Sequence, residues 1–208
     1  PLDDDDNPIF IPRNAPDIFN RAHMKTMFWD GRVTDLENGS FLSPAGDDLL
    51  DGLESALAVQ AMFPVTSRDE MRGQVSDSEL GDLDDDDLIG MWDALMERLL
   101  GFQGYKDLFA AAYPSIEEDD LTFAHAANAI AAFEIQHWTL ANSPFDQYLR
   151  GDNSILNADQ YAGAQLFFGT AGCVACHSGP NLSDEMFHNT GVVQLGPGKG
   201  DGIDGRAD

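Results

Sequence analysis

Apolar residues recur at helical spacing in several stretches, and no stretch reads convincingly as a sheet. Leu50, Leu53, Leu57 and Ala61 follow one another at three- and four-residue steps behind the acids Asp47 and Asp48. This predicts a helix from Asp47 to about Met62, ended by Pro64. Leu88, Met91, Trp92, Leu95 and Leu99 form a second stripe, stopped by Gly101, which reads as core rather than as cofactor contact. A shorter helix is predicted from about Tyr105 to Tyr113, before Pro114. The longest runs from about Thr122 to Leu140, with Phe123, Ala127, Ile130, Ala131 and Phe133 or Glu134 on its buried side. Its alanines permit close packing, and His125 and His137 read as ordinary hydrogen-bonded or exposed histidines.

Local punctuation marks two further helices. Ser143 caps one whose first turn holds Pro144 and which Gly151 closes. Asn157 with Gln160 three residues on forms a capping box for the other, which carries Tyr161, Leu166, Phe167 and Phe168. Between the helices the chain reads as loop. Residues 1–14 are irregular around Pro8, Pro12 and Pro16, and Asn14 to Asn20 hold at most one helical turn. Phe28-Trp29 run into an Asp30-Gly31 turn, residues 33–46 are loop, and Val65 to Met71 make a turn. Glycine dominates after His188. The class is all-α.

The 208 residues suffice for one large domain or two small ones. Charge narrows the partners: 37 acidic against 11 basic residues give a formal net charge of -26. That balance repels nucleic acid and anionic membrane surfaces. Acidic runs at Asp3 to Asp6, Asp84 to Asp87 and Glu117 to Asp120 read as solvated surface, with steering of a small basic protein partner as the functional alternative. No apolar run reaches the length of about 20 residues that spans a bilayer. The chain starts at Pro1 with neither an initiator methionine nor a signal region, as a processed chain or a fragment would.

The chemistry concentrates in Cys173-Val174-Ala175-Cys176-His177, the spacing of a covalent haem c attachment site. Two thiols on one short turn match the two vinyl groups of a porphyrin, and the adjacent histidine faces the iron. A zinc site using Cys173, Cys176 and His188 leaves His177 without a role, and zinc ligands are ordinarily more widely spaced. A thioredoxin-like pair needs a βαβ setting that is not evident. A plain disulfide between the only two cysteines leaves His177 and the nearby Gly169, Gly172 and Gly179 as coincidence. Because haem c is attached outside the bacterial inner membrane, the motif implies a periplasmic or exported protein. Met186 lies too close along the chain to His177 to be favoured as second axial ligand, which is expected from polypeptide outside this chain. Taken alone, Trp29 reads as a packed aromatic beside a turn, and Glu70, between Arg68 and Arg72, as a solvated acid.

Several blocks, in order, resemble the bacterial di-haem cytochrome c peroxidases and their relatives that oxidise a tryptophan in a partner protein. They are Pro12-Arg13-Asn14-Ala15-Pro16, Phe28-Trp29-Asp30-Gly31-Arg32, Asp69-Glu70-Met71 and Ala129-Ile130-Ala131-Ala132-Phe133-Glu134. Ser143-Pro144-Phe145-Asp146, Gly172 to Pro180 and Phe187-His188-Asn189 complete the set. The resemblance implies cytochrome c-like helical haem domains joined by long loops. On it, residues 1–141 are a partial N-terminal, peroxidatic-haem domain without its own haem motif, and 142–208 a partial C-terminal electron-transfer domain. The chain then looks like the interior of a longer protein, with a second haem c outside it.

Carried over, the resemblance implies that Cys173, Cys176 and His177 bind the electron-entry haem and that Trp29 lies between the two haems. It implies that Glu70 is the acid-base residue of the peroxide pocket, where O–O heterolysis moves a proton between oxygens. Asn14 matches an oxygen ligand of a calcium ion, and Arg32 pairs with a haem propionate. The implied activity is reduction of hydrogen peroxide to water with electrons from a small cytochrome or copper protein, in an enzyme whose relatives commonly dimerise. A mono-haem carrier without peroxide chemistry and a protein-modifying oxidase on the same scaffold are the alternatives.

Overall fold

The structure, a computed structural model, describes residues 14–191. The Asp3 to Asp6 run, Pro12, Arg13 and most of the glycine-rich tail lie outside the described residues. The described residues are mostly helical, as the pattern predicts, and among them is one small sheet that it does not predict.

That sheet is antiparallel, in the order β1 (Thr26–Met27), β2 (Val33–Asp35), β3 (Phe41–Leu42). Met27 pairs with Val33, and Asp35 with Phe41. Strands of two or three residues are too short to show alternation in the sequence. The Asp30-Gly31 turn read from sequence is the tip of the β1–β2 hairpin. Met27 and Val33 point inward and are fully buried.

The predicted Asp47 to Met62 helix is cut down to α1 (Ala56–Ala61). A short 3-10 turn at Gly46–Asp48 precedes it, and the chain then turns at Gly52, where φ is +87. The cause is tertiary. The buried Asn128 side chain accepts from the Glu54 N–H (3.0 Å) and donates to the Gly52 carbonyl (2.8 Å). Those two bonds satisfy backbone groups that a continuous helix would have paired internally. Ser55 then caps α1 by accepting from the Ala58 N–H (3.1 Å).

Helix α2 (Leu88–Leu100) is capped by Asp87, which accepts from the Gly90 N–H (2.9 Å), and ends at Gly101 as predicted. Met91, Trp92 and Met96 are its buried residues, and Leu88, Leu95 and Leu99 pack partly buried against the core. The Met and Trp stripe is therefore core. The Trp92 indole N–H donates to the Met62 carbonyl (2.8 Å), tying α2 to the end of α1. An edge-to-face chain runs from Trp92 through Phe63 to Phe28, at ring separations of 6.4 and 6.5 Å, and so joins the core to the hairpin.

Helices α3 (Gln103–Ala112) and α4 (Phe123–Trp138) complete this part. On α4 the buried residues are Phe123, Ala124, Ala126, Ala127, Asn128 and Ala131. Ile130 and Phe133, expected inside, are exposed. The small face of α4 sits against α1, where close approach favours alanine over larger side chains. His125 is hydrogen-bonded through Nδ1 to the Thr122 N–H (3.0 Å), and His137 is exposed, as both were read. The chain before the sheet is tied to the end of α4 through Asn20, whose N–H donates to the Trp138 carbonyl and whose side chain accepts from the Leu140 N–H.

Helices α5 (Pro144–Leu149) and α6 (Ala158–Phe168) have the caps read from sequence. Ser143 Oγ accepts from the Asp146 N–H (3.1 Å). Asn157 and Gln160 close a reciprocal box, with both bonds at 2.9 Å. Among the described residues none beyond Ala131 is buried. The core therefore lies in residues 27–131, and the α5–α6 region presents its apolar side chains at the surface.

Candidate haem site

Helix α6 ends at Gly169, and Gly172, with φ +70, turns the chain into the 3-10 turn Cys173–Ala175. A left-handed residue here is cheap only for glycine. The turn is closed by the His177 and Cys176 N–H groups, both donating to the Cys173 carbonyl (2.9 and 3.3 Å). It brings Cys173, Cys176 and His177 onto one short segment. Cys176 is exposed, Cys173 is partly so, and the two sulfurs are not joined to each other.

His177 Nδ1 lies 3.1 Å from the Leu182 carbonyl oxygen. Because a carbonyl only accepts, Nδ1 carries the proton, and in the neutral ring the lone pair is then on Nε2. The Phe167 ring lies 6.0 Å from the imidazole. Phe145 stacks on Phe168 at 5.6 Å, and Phe167 meets Phe168 edge-on at 5.0 Å. The rings of Phe145, Phe167 and Phe168, with Leu156, Ala164 and Leu182, line a groove of about 390 Å³ beside the motif's turn. An open apolar groove, two accessible thiols and an imidazole with a free Nε2 suit the apolar body, vinyl groups and iron of a haem.

The segment after the motif returns to the hairpin. The Asp184 N–H donates to the Cys176 carbonyl (2.9 Å). Glu185 Oε2 accepts from the Lys25 and Thr26 N–H groups (2.7 and 2.9 Å). Phe187 lies over Gly31 so closely that a Cβ there would overlap its ring. Sequence reasoning did not single out Leu182, Glu185 or Phe187 for these contacts. The only available signal was the Phe187-His188-Asn189 block. His188 Nε2 pairs with Asp184 Oδ2 (2.8 Å), and the Met186 N–H followed by His188 holds the Asp184 carboxyl below the usual carboxylate range. Ligand atoms of Cys176, Asp184 and His188 lie within 4.8 Å of one another, a set distinct from the zinc trio read from sequence.

Trp29 sits at the hairpin tip and is 70% exposed, so it is not the packed core aromatic that the bare sequence suggests. Its neighbour Phe28 has φ +63 and lies under the Arg32 guanidinium, 3.7 Å from the ring centroid. Arg32 also pairs with Asp30 (2.9 Å). Burial raises the Asp30 carboxyl, but the bonds from Arg32 outweigh it and leave Asp30 below its ordinary value.

Glu70 is exposed on a π-helical turn, Arg68–Arg72. Such turns are rare and often mark functional sites. The turn is anchored by its two arginines. Arg72, 3% exposed, donates to the Leu80 carbonyl (3.0 Å), the Leu83 carbonyl and Asp85 (2.8 Å). Arg68 donates to the same Asp85 (2.7 Å) and to the Gly81 carbonyl (3.0 Å). Asn14 is exposed. The structure thus joins the haem motif to the Trp29–Arg32 hairpin, while Glu70 and Asn14 stand on separate segments. No described helix is long and apolar enough to cross a membrane.

A mostly helical chain with two thiols and an oriented imidazole on one turn defines the class of cytochrome c-like helical proteins. This chain belongs to the di-haem cytochrome c peroxidase family, whose profile matches residues 6–154. The chain is 31% identical over 192 residues to methylamine utilization protein MauG of Methylorubrum extorquens, covering 91% of this chain and 43% of that protein. It is 31% identical over 184 residues to cytochrome c551 peroxidase of Pseudomonas aeruginosa, covering 88% and 41%. Identity is 29% over 182 residues with cytochrome-c peroxidase IdrP2 of a Pseudomonas species, covering 88% and 38%. The chain thus spans about two fifths of the length of these curated relatives. Membership implies haem c as cofactor and an oxidoreductase family.

Proposed function

We propose that this chain is part of a periplasmic di-haem cytochrome c peroxidase, which reduces hydrogen peroxide to water with electrons from a small cytochrome or copper protein that enter through the haem c at Cys173, Cys176 and His177. The observation that carries the reading is the His177 Nδ1 to Leu182 carbonyl bond, because it leaves Nε2 as the free ligand nitrogen beside two accessible thiols. In this reading Cys173 and Cys176 tether haem c and His177 holds its iron. The haem supplies one-electron redox chemistry when bound. Residues 1–141 then scaffold the peroxidatic side, and 142–208 form the electron-transfer side.

The remaining residues have roles fitted to their chemistry. Trp29 offers an indole on the hairpin that the motif's own loop touches. Glu70 is a solvent-accessible carboxylate able to move a proton, anchored by Arg68 and Arg72. The Arg32 guanidinium has five N–H donors, so its pairing with Asp30 leaves donors for a propionate. Asn14 supplies an amide oxygen of the type that calcium accepts. A second haem c, outside this chain, and a homodimer complete the proposal.

The test is haem counting on the matured source protein by mass and pyridine haemochrome, combined with peroxide turnover. Two haems and turnover with a reduced small cytochrome support the reading. One haem without turnover replaces it with a mono-haem carrier. Two haems that spend peroxide as the oxidant of a partner protein's tryptophan, with no turnover from a reduced small cytochrome, replace it with a protein-modifying oxidase.

A further inference from the structure

The loop after the haem motif is fastened at both ends, and Glu185 is the residue that reaches across. At one end the Asp184 N–H holds the Cys176 carbonyl (2.9 Å). At the other, a single carboxylate oxygen of Glu185 accepts from the backbone N–H groups of Lys25 (2.7 Å) and Thr26 (2.9 Å). Strand β1 is an edge of the sheet, where N–H groups otherwise face solvent. The Lys25 ammonium pairs with Glu37 (2.5 Å) and feels Glu185 only as a lesser charge nearby, so the hydrogen bonds of Glu185 go to the backbone. Bonds from backbone N–H groups to a carboxylate are short and strong.

Two features show that this contact overrides local preference. Glu185 itself has φ +54, a left-handed conformation disfavoured for a residue with a Cβ. Across the contact Phe28 has φ +63, immediately before Trp29. Phe187, two residues beyond Glu185, closes over Gly31, so the same loop grips both sides of the Trp29 turn. Unfavoured backbone persists where surrounding contacts over-determine it, and it concentrates at working sites.

We propose that Glu185 is a positioning residue that sets the register of the Trp29 hairpin against the loop tied to Cys176, and so fixes the path between Trp29 and the haem motif. The proposal rests on the reading of Trp29 as an electron relay. Electron tunnelling weakens steeply with distance, so a small slip of the hairpin slows transfer without touching any group that reacts.

The experiment compares the matured holoprotein with its Glu185→Ala, Glu185→Gln and Trp29→Phe variants. Amide hydrogen exchange across residues 24–33 and stopped-flow electron transfer after rapid mixing with reduced donor are the two readouts. In Glu185→Ala, exchange at Lys25 and Thr26 is expected to rise by about tenfold or more, the loss of bonds to a charged acceptor, and electron transfer is expected to slow. Glu185→Gln is isosteric and keeps an acceptor oxygen, so it restores most of both and guards against a folding failure of the alanine variant. Unchanged exchange in both Glu185 variants overturns the proposal. Faster exchange with unchanged electron transfer also overturns it, provided that Trp29→Phe slows transfer. If Trp29→Phe leaves transfer unchanged, the relay reading falls, and the exchange result alone decides whether Glu185 holds the hairpin.

Discussion

The imidazole of His177 is oriented by the backbone of Leu182, five residues further on, through a 3.1 Å bond at Nδ1. A ring held this way presents Nε2 in one direction and in one tautomer, the usual way a protein prepares a histidine for a metal. His177→Ala is therefore expected to change the visible spectrum of this site's haem in the matured protein and to leave that of the second haem in place. The double variant Cys173→Ser/Cys176→Ser is expected to release all porphyrin of this site into acidified organic solvent, whereas the native protein retains it. Retention of that porphyrin by the double variant would show that the attachment lies elsewhere.

Such local arrangements were legible in the sequence because they depend on residues within one turn of each other. The turn at Cys173–Ala175, the Ser143 and Asn157 caps and the Trp92 stripe are of this kind. What escaped depends on distant partners. Asn128 breaks the expected helix before Ser55 from across the core, and strands of two residues carry no period. Ile130 and Phe133 were misplaced because the alanine face of α4, rather than its bulkier face, meets α1. Around the site, the loop bearing Leu182 (φ +50) and Glu185 (φ +54) follows a left-handed path that neither residue type announces.

Arg72 makes the Glu70 turn sensitive to acid. Hydrogen bonds from Arg68 and then Arg72 hold the Asp85 carboxyl below its ordinary value. Stability from such a depressed carboxylate is complete above its unfolded value of about 4 and is lost as pH falls through the folded value. Melting temperature is therefore expected to drop below about pH 4, and Asp85→Asn should flatten that part of the profile. Arg72→Met, which strands the Leu80 and Leu83 carbonyls, is expected to cost about 1–3 kcal/mol at neutral pH in denaturant titration.

Trp92 carries the junction between α1 and α2. It is fully buried, and its indole donates to the Met62 carbonyl at 2.8 Å. Trp92→Phe loses that bond, leaves the carbonyl without its donor and opens a small cavity. The expected loss is about 2–4 kcal/mol by chemical denaturation. Because Phe63 links Trp92 to Phe28, the same variant should loosen the hairpin, read as faster amide exchange at Met27 and Val33.

Cys176, Asp184 and His188 offer zinc a different set of ligands from the Cys173, Cys176 and His188 trio read from sequence. Their ligand atoms lie within 4.8 Å of one another, close enough to share one ion. Zinc binds a thiolate, and a cysteine sulfur committed to a thioether link has none to offer. Elemental analysis of the matured protein is therefore expected to find iron but no stoichiometric zinc. Stoichiometric zinc that Cys176→Ser removes, with iron absent, would replace the haem reading.

Glu70 is the sharpest test of peroxide chemistry, because its position makes structural explanations weak. The side chain is exposed, and the turn that carries it is held by Arg68 and Arg72. Glu70→Gln keeps the size and an acceptor oxygen but removes the ability to carry a proton. Melting temperature and haem content are expected to stay at native values. Peroxide turnover in the matured holoprotein is expected to fall by about 10²–10⁴-fold, the range for losing a general acid-base group. A positioning effect would raise KM for peroxide and leave kcat near native, whereas loss of proton transfer lowers kcat. Native kcat in Glu70→Gln would move the acid-base role to another group.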